Sequence, residues 1–241
     1  MTSHGESTVK ERPILFSAPM VRAILDGRKT QTRRIVKPQP DMTLKGEPYW
    51  NVGGLRTSWI GRTEPHWGNN PLMCKYGSVG DRLWVRETWA RVNSECGPGF
   101  AYKADSEFIQ PEFDGKDFGA GPSFNYEKYP GNYCMWYTDL VGGADASEGY
   151  RWTPSIHMPR WASRITLEII GMRVERAHQI TNADVLAEGI SQSRIDKWRK
   201  WLHPNDVHGH AFGELWDCIN GKGSWSENPW VWVVEFKKVT E

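Results

Sequence analysis

The chain has 241 residues, with 30 Lys and Arg against 29 Asp and Glu and a formal net charge of +1. That length can bury a substantial core as one large domain or two small ones. The charge balance excludes a molecule-wide field for nucleic acid, so any basic surface is local. Mean hydropathy is −0.62, and no apolar run approaches the roughly 20 residues of a membrane helix, so no membrane partner is expected.

The opening "MTSHGESTVKERP" has no apolar core of a leader, and residues 1–12 read as a flexible polar tail. "ILFSAPMVRAILDG" reads as a strand end and a short helix, with Ser17 able to cap, Pro19 in the first turn and Gly27 at the stop. Met20, Val21, Ile24 and Leu25 make its apolar face. Residues 28–36 suit a strand, ended by Pro38 and Pro40. Residues 40–78 are rich in Gly, Pro, Asn and Trp without periodicity, which predicts loops. "YGSVGD" predicts a turn, and "RLWVRETWARV" a single strand. Residues 93–150 return to Gly, Pro, Tyr and Asp, with strand-like pieces such as "NYCMWYTD".

The last third is more regular. "RITLEIIGMRVERAHQI" predicts two strands broken near Gly171. "TNADVLAEG" carries a capping-box pattern, with Thr181 at the cap, Asp184 three residues on and Gly189 at the end. "RIDKWRKWL" and "HGHAFGELWDCING" predict amphipathic helices, the second burying Phe212, Leu215, Trp216 and Ile219. "NPWVWVVEFKKV" predicts a closing strand, with Trp230, Trp232, Val234 and Phe236 alternating against Val231, Val233 and Glu235. Regular βα alternation is missing. The order predicts an α+β fold, a closed β scaffold over 13–241 with long insertions at about 40–78 and 93–160.

Several patterns bear on chemistry. Cys74, Cys96, Cys134 and Cys218 are scattered without a CxxC pair, which predicts reduced thiols in a cytoplasmic protein. The 14 tryptophans mostly predict packing, with base-stacking platforms as the other use. His203, His208 and His210 lack ligand spacing, "DGKDFGAGPS" lacks the P-loop frame, and no GxSxG is present. No metal and no cofactor are expected. "GRKTQTRR", residues 27–34, gathers cations and hydroxyls at a chain reversal. It reads either as an exposed basic strand or as an oxyanion grip with a Thr beside a Lys. In a regular strand Lys29 and Thr32 face opposite sides, so their pairing needs a bulge or a wrapped lysine side chain. Glu188, at a helix C-terminus, sits against the dipole by roughly 0.3–1 kcal/mol, a mild sign of a task. "SIHMPRWASR" interleaves Arg160, Trp161 and Arg164, which suits stacking and phosphate contact, or a structural loop with Trp161 in the core.

"ILDGRKTQTRR" resembles the signature of the ASCH domain family, Gly-x-Lys-x-x-x-x-Arg, through Gly27, Lys29 and Arg34. "VGDRLWV" and "WVWVVEFKKV" are similar to strands of that family, and "ITNADVLAEGI" is similar to the segment that bears its carboxylate. The resemblance covers residues 14–38, 79–91, 163–190 and the last strand. Within the family the motif is most similar to N4-acetylcytidine amidohydrolases, and the whole chain to longer phage and prophage ASCH proteins. The resemblance implies a PUA-like β-barrel with flanking helices and two loop-rich insertions. It implies hydrolysis of an amide on a modified nucleobase or nucleoside, with Thr32 as nucleophile and Lys29 and Glu188 catalytic. Arg28, Arg34, Arg160 and Trp161 would hold the substrate. Arg33 and the Trp-rich insertions depart from the small enzymes. The alternatives are a module that binds RNA or a modified base without catalysis, and a ribonuclease using the same cleft. The expected partner is a modified nucleoside or RNA.

Overall fold

The computed structural model describes residues 9–42, 48–52, 55–58, 74–111, 124–143 and 150–239. Its elements, in order, begin with β1 (Glu11–Leu15), α1 (Ala18–Leu25), β2 (Gln31–Ile35), β3 (Asp41–Met42), β4 (Pro48–Val52) and β5 (Leu55–Ser58). There follow β6 (Arg82–Arg86), β7 (Trp89–Ser94), β8 (Gly97–Tyr102), β9 (Glu107–Ile109) and α2 (Tyr137–Gly142). The chain closes with β10 (Thr166–Arg176), α3 (Asn182–Ala187), α4 (Gln192–Arg199), α5 (Val207–Asn220) and β11 (Trp230–Lys238). The class is α+β. The largest sheet runs β1-β6-β10-β11-β2, an open order with β1 and β2 outermost, and β3-β4-β5 and β7-β8-β9 form two smaller sheets. Among the described residues no helix is long and apolar enough to cross a membrane.

The chain divides into two compact units. The first is Met1–Arg12, Ala23–Leu83 and Leu167–Glu241; the second is Pro13–Arg22 and Trp84–Thr166. In the first unit, β11 pairs antiparallel with β10 and with β2, in the register Val233↔Arg173 and Val233↔Arg33. One face of these strands presents Val231, Val233 and Ile35 to α3, α4 and α5, which contribute Val185, Ile195, Phe212 and Trp216 to the same core. On α5 the buried residues are Val207, Ala211, Phe212, Gly213 and Trp216. Ile219, expected in that stripe, is exposed, because the helix turns its final residues away from the core.

In the second unit, β7-β8-β9 is a meander. Trp89, Phe100, Tyr102, Tyr129 and Tyr133 pack together on it, with Trp161 against them. Here Arg164 makes a paired contact with buried Glu87, Nε to Oε1 at 2.9 Å and Nη2 to Oε2 at 3.0 Å, and also bonds Asp105 and Glu107. Its guanidinium lies 4.1 Å from the centre of the Tyr102 ring. Burial pushes the Glu87 carboxyl up from its ordinary range, against the pull of Arg164.

Several expectations change, the first being the closed β scaffold: among the described residues the largest sheet is open, with β1 and β2 as its two edges. "RLWVRETWARV" is two strands in two sheets, parted at Glu87 and Thr88. "NYCMWYTD" gives no strand: Tyr137 starts α2, whose Leu140 is buried against β7 and β8. Aromatic residues supply apolar area to a helix as readily as to a strand, so the composition did not decide. β10 is one strand with a register shift between Ile169 and Gly171, a bulge where a break was expected. In the first loop-rich stretch β3, β4 and β5 form a meander; 43–47, 53–54 and 59–73, like most of the N-terminal tail, lie outside the described residues.

Candidate functional site

The candidate site is built by β2, α3 and β10, all in the first unit. β2 is short and polar, yet its first three residues are buried. Gln31 Nε2 donates to Asp184 Oδ1 at 3.0 Å, and Arg33 Nη2 lies 3.2 Å from Asp184 Oδ2. Both side chains therefore leave β2 on the side of α3. Alternation puts Thr32 and Arg34 on the other face, opposite Val234 and Trp232 of β11.

Lys29 precedes β2 and forms an isolated antiparallel bridge with Glu188, 159 residues away. Its backbone N–H donates to Ala23 O at 2.9 Å, and the N–H of Thr30 to Ala187 O at 2.8 Å. The Lys29 side chain is fully out of solvent. Its ammonium donates to Glu188 Oε2 at 2.8 Å, to the Glu188 carbonyl at 2.9 Å and to the Gln31 carbonyl at 2.8 Å. The lysine thus does two jobs at the end of α3. It neutralises the carboxylate and it bonds a carbonyl that the helix end leaves over. The dipole conflict read at Glu188 is relieved by this cation. Burial lowers the Lys29 ammonium below its ordinary value; Glu188 pulls the other way, and Arg34 and Arg33 add to the lowering.

Gly189 lets the pair meet. It has φ +82°, and a Cβ there would lie 2.8 Å from Ala23 Cβ and 2.9 Å from Lys29 Cβ. Only glycine takes both the left-handed turn and this close approach.

Arg33 is the hub beside the pair. Its side chain is wholly buried. Nη1 lies 3.3 Å from Glu188 Oε1, Nη2 contacts Asp184 and Glu175, and Nε donates to Glu175 at 3.1 Å. Arg173 of β10 closes the ring, with Nε 2.9 Å from Glu175 Oε2 and Nη2 2.9 Å from Asp184 Oδ1; it also pairs with Glu235. Asp184 is at once the partner of these arginines and the third residue of the capping box, accepting from Thr181 N at 2.9 Å and Thr181 Oγ1 at 2.8 Å. Burial pushes the Asp184 carboxyl up, but the bonds from Thr181 and Gln31 and the charge of Arg33 outweigh it and hold the group well below the usual carboxylate range.

Of the residues expected to act, Lys29 and Glu188 are brought together. Thr32 is buried on the opposite face of β2. Arg34 shares that face, half-buried. Arg28 is exposed, donating to Asp26 Oδ2 at 2.7 Å and to Gly189 O at 3.4 Å. With Thr30, Ile190, Ser191 and Gln192 it lines a cavity of about 500 Å³, whose lining includes neither Lys29 nor Glu188. Arg160 and Trp161 belong to the second unit. Arg160 is exposed and donates to Thr166 Oγ1 at 3.3 Å; Trp161 packs 5.5 Å from Trp89 and 5.4 Å from Phe100, ring centre to ring centre.

Sequence reading missed the roles of Arg33, Glu175, Arg173 and Gln31. A signal existed for two of them: Gln31 and Arg33 follow Lys29 at strand spacing, which puts them on one face. Asp184 was legible as a cap and not as an ion partner. Among the described residues no cluster of His, Cys, Asp and Glu could hold a metal ion. Comparison of the chain with family models, curated proteins and solved structures found no match.

Proposed function

We propose that the chain is a cytosolic hydrolase that cleaves the exocyclic amide of a modified nucleobase, of the N4-acylcytidine kind, with Lys29 and Glu188 as its proton-handling pair. The observation that carries the reading is the 2.8 Å contact between Lys29 Nζ and Glu188 Oε2. The resemblance to ASCH amidohydrolases assigns chemistry to these two residues, which are far apart in sequence. A PUA-like scaffold goes with the proposal; the antiparallel pairing of the motif strand β2 with the closing strand β11 supports it.

In this mechanism Glu188 takes a proton from a water as the water oxygen attacks the amide carbonyl carbon. The Lys29 ammonium stabilises the developing oxyanion. The C–N bond then breaks, and the proton held by Glu188 passes to the leaving nitrogen, giving a carboxylic acid and the unmodified amine. Water replaces Thr32 as nucleophile because β2 turns Thr32 to its other face. A second reading is favoured by the burial of the pair: Lys29 and Glu188 side chains are 0% and 5% exposed. There the ions are scaffold, and the exposed Arg28 and half-buried Arg34 recognise a modified base or RNA without chemistry.

The test is chromatographic turnover of N4-acetylcytidine by wild type, Lys29→Met, Glu188→Gln and Thr32→Val, each checked for folding by circular dichroism. The reading expects turnover lost in the first two variants, by about 10²-fold or more, and kept in Thr32→Val. Loss in Thr32→Val alongside the others restores threonine as nucleophile. No turnover by a folded wild type removes the hydrolase reading and leaves recognition or RNA cleavage, separated by gel assays on single-stranded RNA.

A further inference from the structure

Glu188 follows the last turn of α3 in right-handed helical backbone, which does not by itself decide how its carboxylate lies. The torsion that turns a carboxylate is broad and two-fold, so one cation on one oxygen leaves the plane of the group free to turn. Here two cations meet it, one on each oxygen. Lys29 Nζ lies 2.8 Å from Oε2, and Arg33 Nη1 lies 3.3 Å from Oε1.

The two cations differ in what holds them. Lys29 is a point charge on a flexible stem. Its three N–H groups go to Glu188 Oε2, the Glu188 carbonyl and the Gln31 carbonyl. Two of those acceptors belong to Glu188, so the lysine follows the glutamate as much as it directs it. Arg33 is anchored from behind. Its Nε donates to Glu175 Oε1 at 3.1 Å, and its Nη2 meets both Glu175 and Asp184. Those anchors are themselves held, Glu175 Oε2 by Arg173 Nε at 2.9 Å and Asp184 Oδ2 by Thr181 N at 2.9 Å. A planar guanidinium pinned along one edge cannot turn, and its Nη1 stands as a fixed donor beside Glu188.

We propose that Arg33 is the positioning residue of the Lys29–Glu188 pair: held by Glu175 and Asp184, it fixes the plane of the Glu188 carboxylate and presents Oε2 to Lys29. Arg33 bears on turnover only under the hydrolase reading. The orientation it imposes on Glu188 belongs to the folded chain whatever the reaction.

A lysine ammonium bonded at three sites and out of solvent exchanges its protons slowly, so it gives a proton–nitrogen correlation signal. The Lys29 signal is identified by its loss in Lys29→Met. Arg33→Lys and Glu175→Gln are compared with wild type and with Val207→Ala, which truncates a buried apolar residue of α5 outside the ion cluster. In folded Arg33→Lys and Glu175→Gln the Lys29 signal is expected to shift or to broaden beyond detection. The kcat for N4-acetylcytidine is expected to fall by about 10²-fold in Arg33→Lys with KM unchanged, and by less in Glu175→Gln. Val207→Ala is expected to leave signal and kcat as in wild type. Should Arg33→Lys fail to fold, Glu175→Gln decides alone. An unmoved Lys29 signal in the folded variants overturns the proposal. So does an equal change in Val207→Ala, the mark of general loosening, or the absence of a Lys29 signal in wild type. A wild type that turns nothing over removes the hydrolase reading, while the signals still decide the positioning.

Discussion

Arg33 sets the energetics of the candidate site more than either residue of the Lys29–Glu188 pair. Its fork reaches Glu175, Asp184 and Glu188 with no exposed atoms on its own side chain. Removing one partner of a buried ion cluster leaves charges without compensation. Arg33→Met is expected to lower unfolding free energy by about 3–5 kcal/mol, measured by denaturant titration. Arg33→Lys is expected to recover only part of that, because an ammonium is a point donor and cannot fork to three carboxylates.

Lys29 predicts a pH effect with a definite sign. Its folded-state value lies below 10.5, burial being the cause. Below the lowered value both states carry the proton, and the folded state carries it at a cost. Between the lowered value and 10.5 the unfolded chain binds the proton and the folded chain does not, so stability rises with pH. Wild type is expected to gain stability relative to Lys29→Met as pH climbs through that window, read from denaturation midpoints at a series of pH values. A difference that stays flat argues against a depressed lysine.

At the scale of elements, α3 is a six-residue helix held by its ends. Thr181→Ala removes the cap and is expected to cost about 1 kcal/mol. Gly189→Ala forces a Cβ between Ala23 and Lys29 and is expected to cost about 1–3 kcal/mol by thermal denaturation, with loss of any activity that needs the Lys29–Glu188 contact. Both ends of α3 were legible, because capping box and terminal glycine are local signals. β11 was legible from its alternation, visible residue by residue, and β2 from β-permissive residues stopped by Pro38 and Pro40. The parting of β6 from β7 was not, since Glu87 and Thr88 interrupt neither apolar content nor β-propensity; the chain changes sheet there for tertiary reasons. The ion cluster was hidden more deeply. Arg33 meets Glu175 across 142 residues and Glu188 across 155, and no local pattern carries such pairings.

At the scale of the whole molecule, a net charge of +1 gives no general attraction for polyanions. Turnover of a free nucleoside is therefore expected to keep the same KM over about a tenfold range of salt. A steep fall in apparent affinity with salt would point to an RNA backbone as the natural ligand and favour the recognition reading.

The double duty of Asp184 has a consequence for the order of folding. A helix as short as α3 does not persist alone in water, where about 12–15 residues are needed. Asp184, which completes its capping box, is also anchored to Gln31, 153 positions earlier. The chain must close that long loop before the helix gains its anchor, and such closures are late and slow. Thr181→Ala should thus speed unfolding while leaving the folding rate nearly untouched, the kinetic mark of a segment that joins after the transition state.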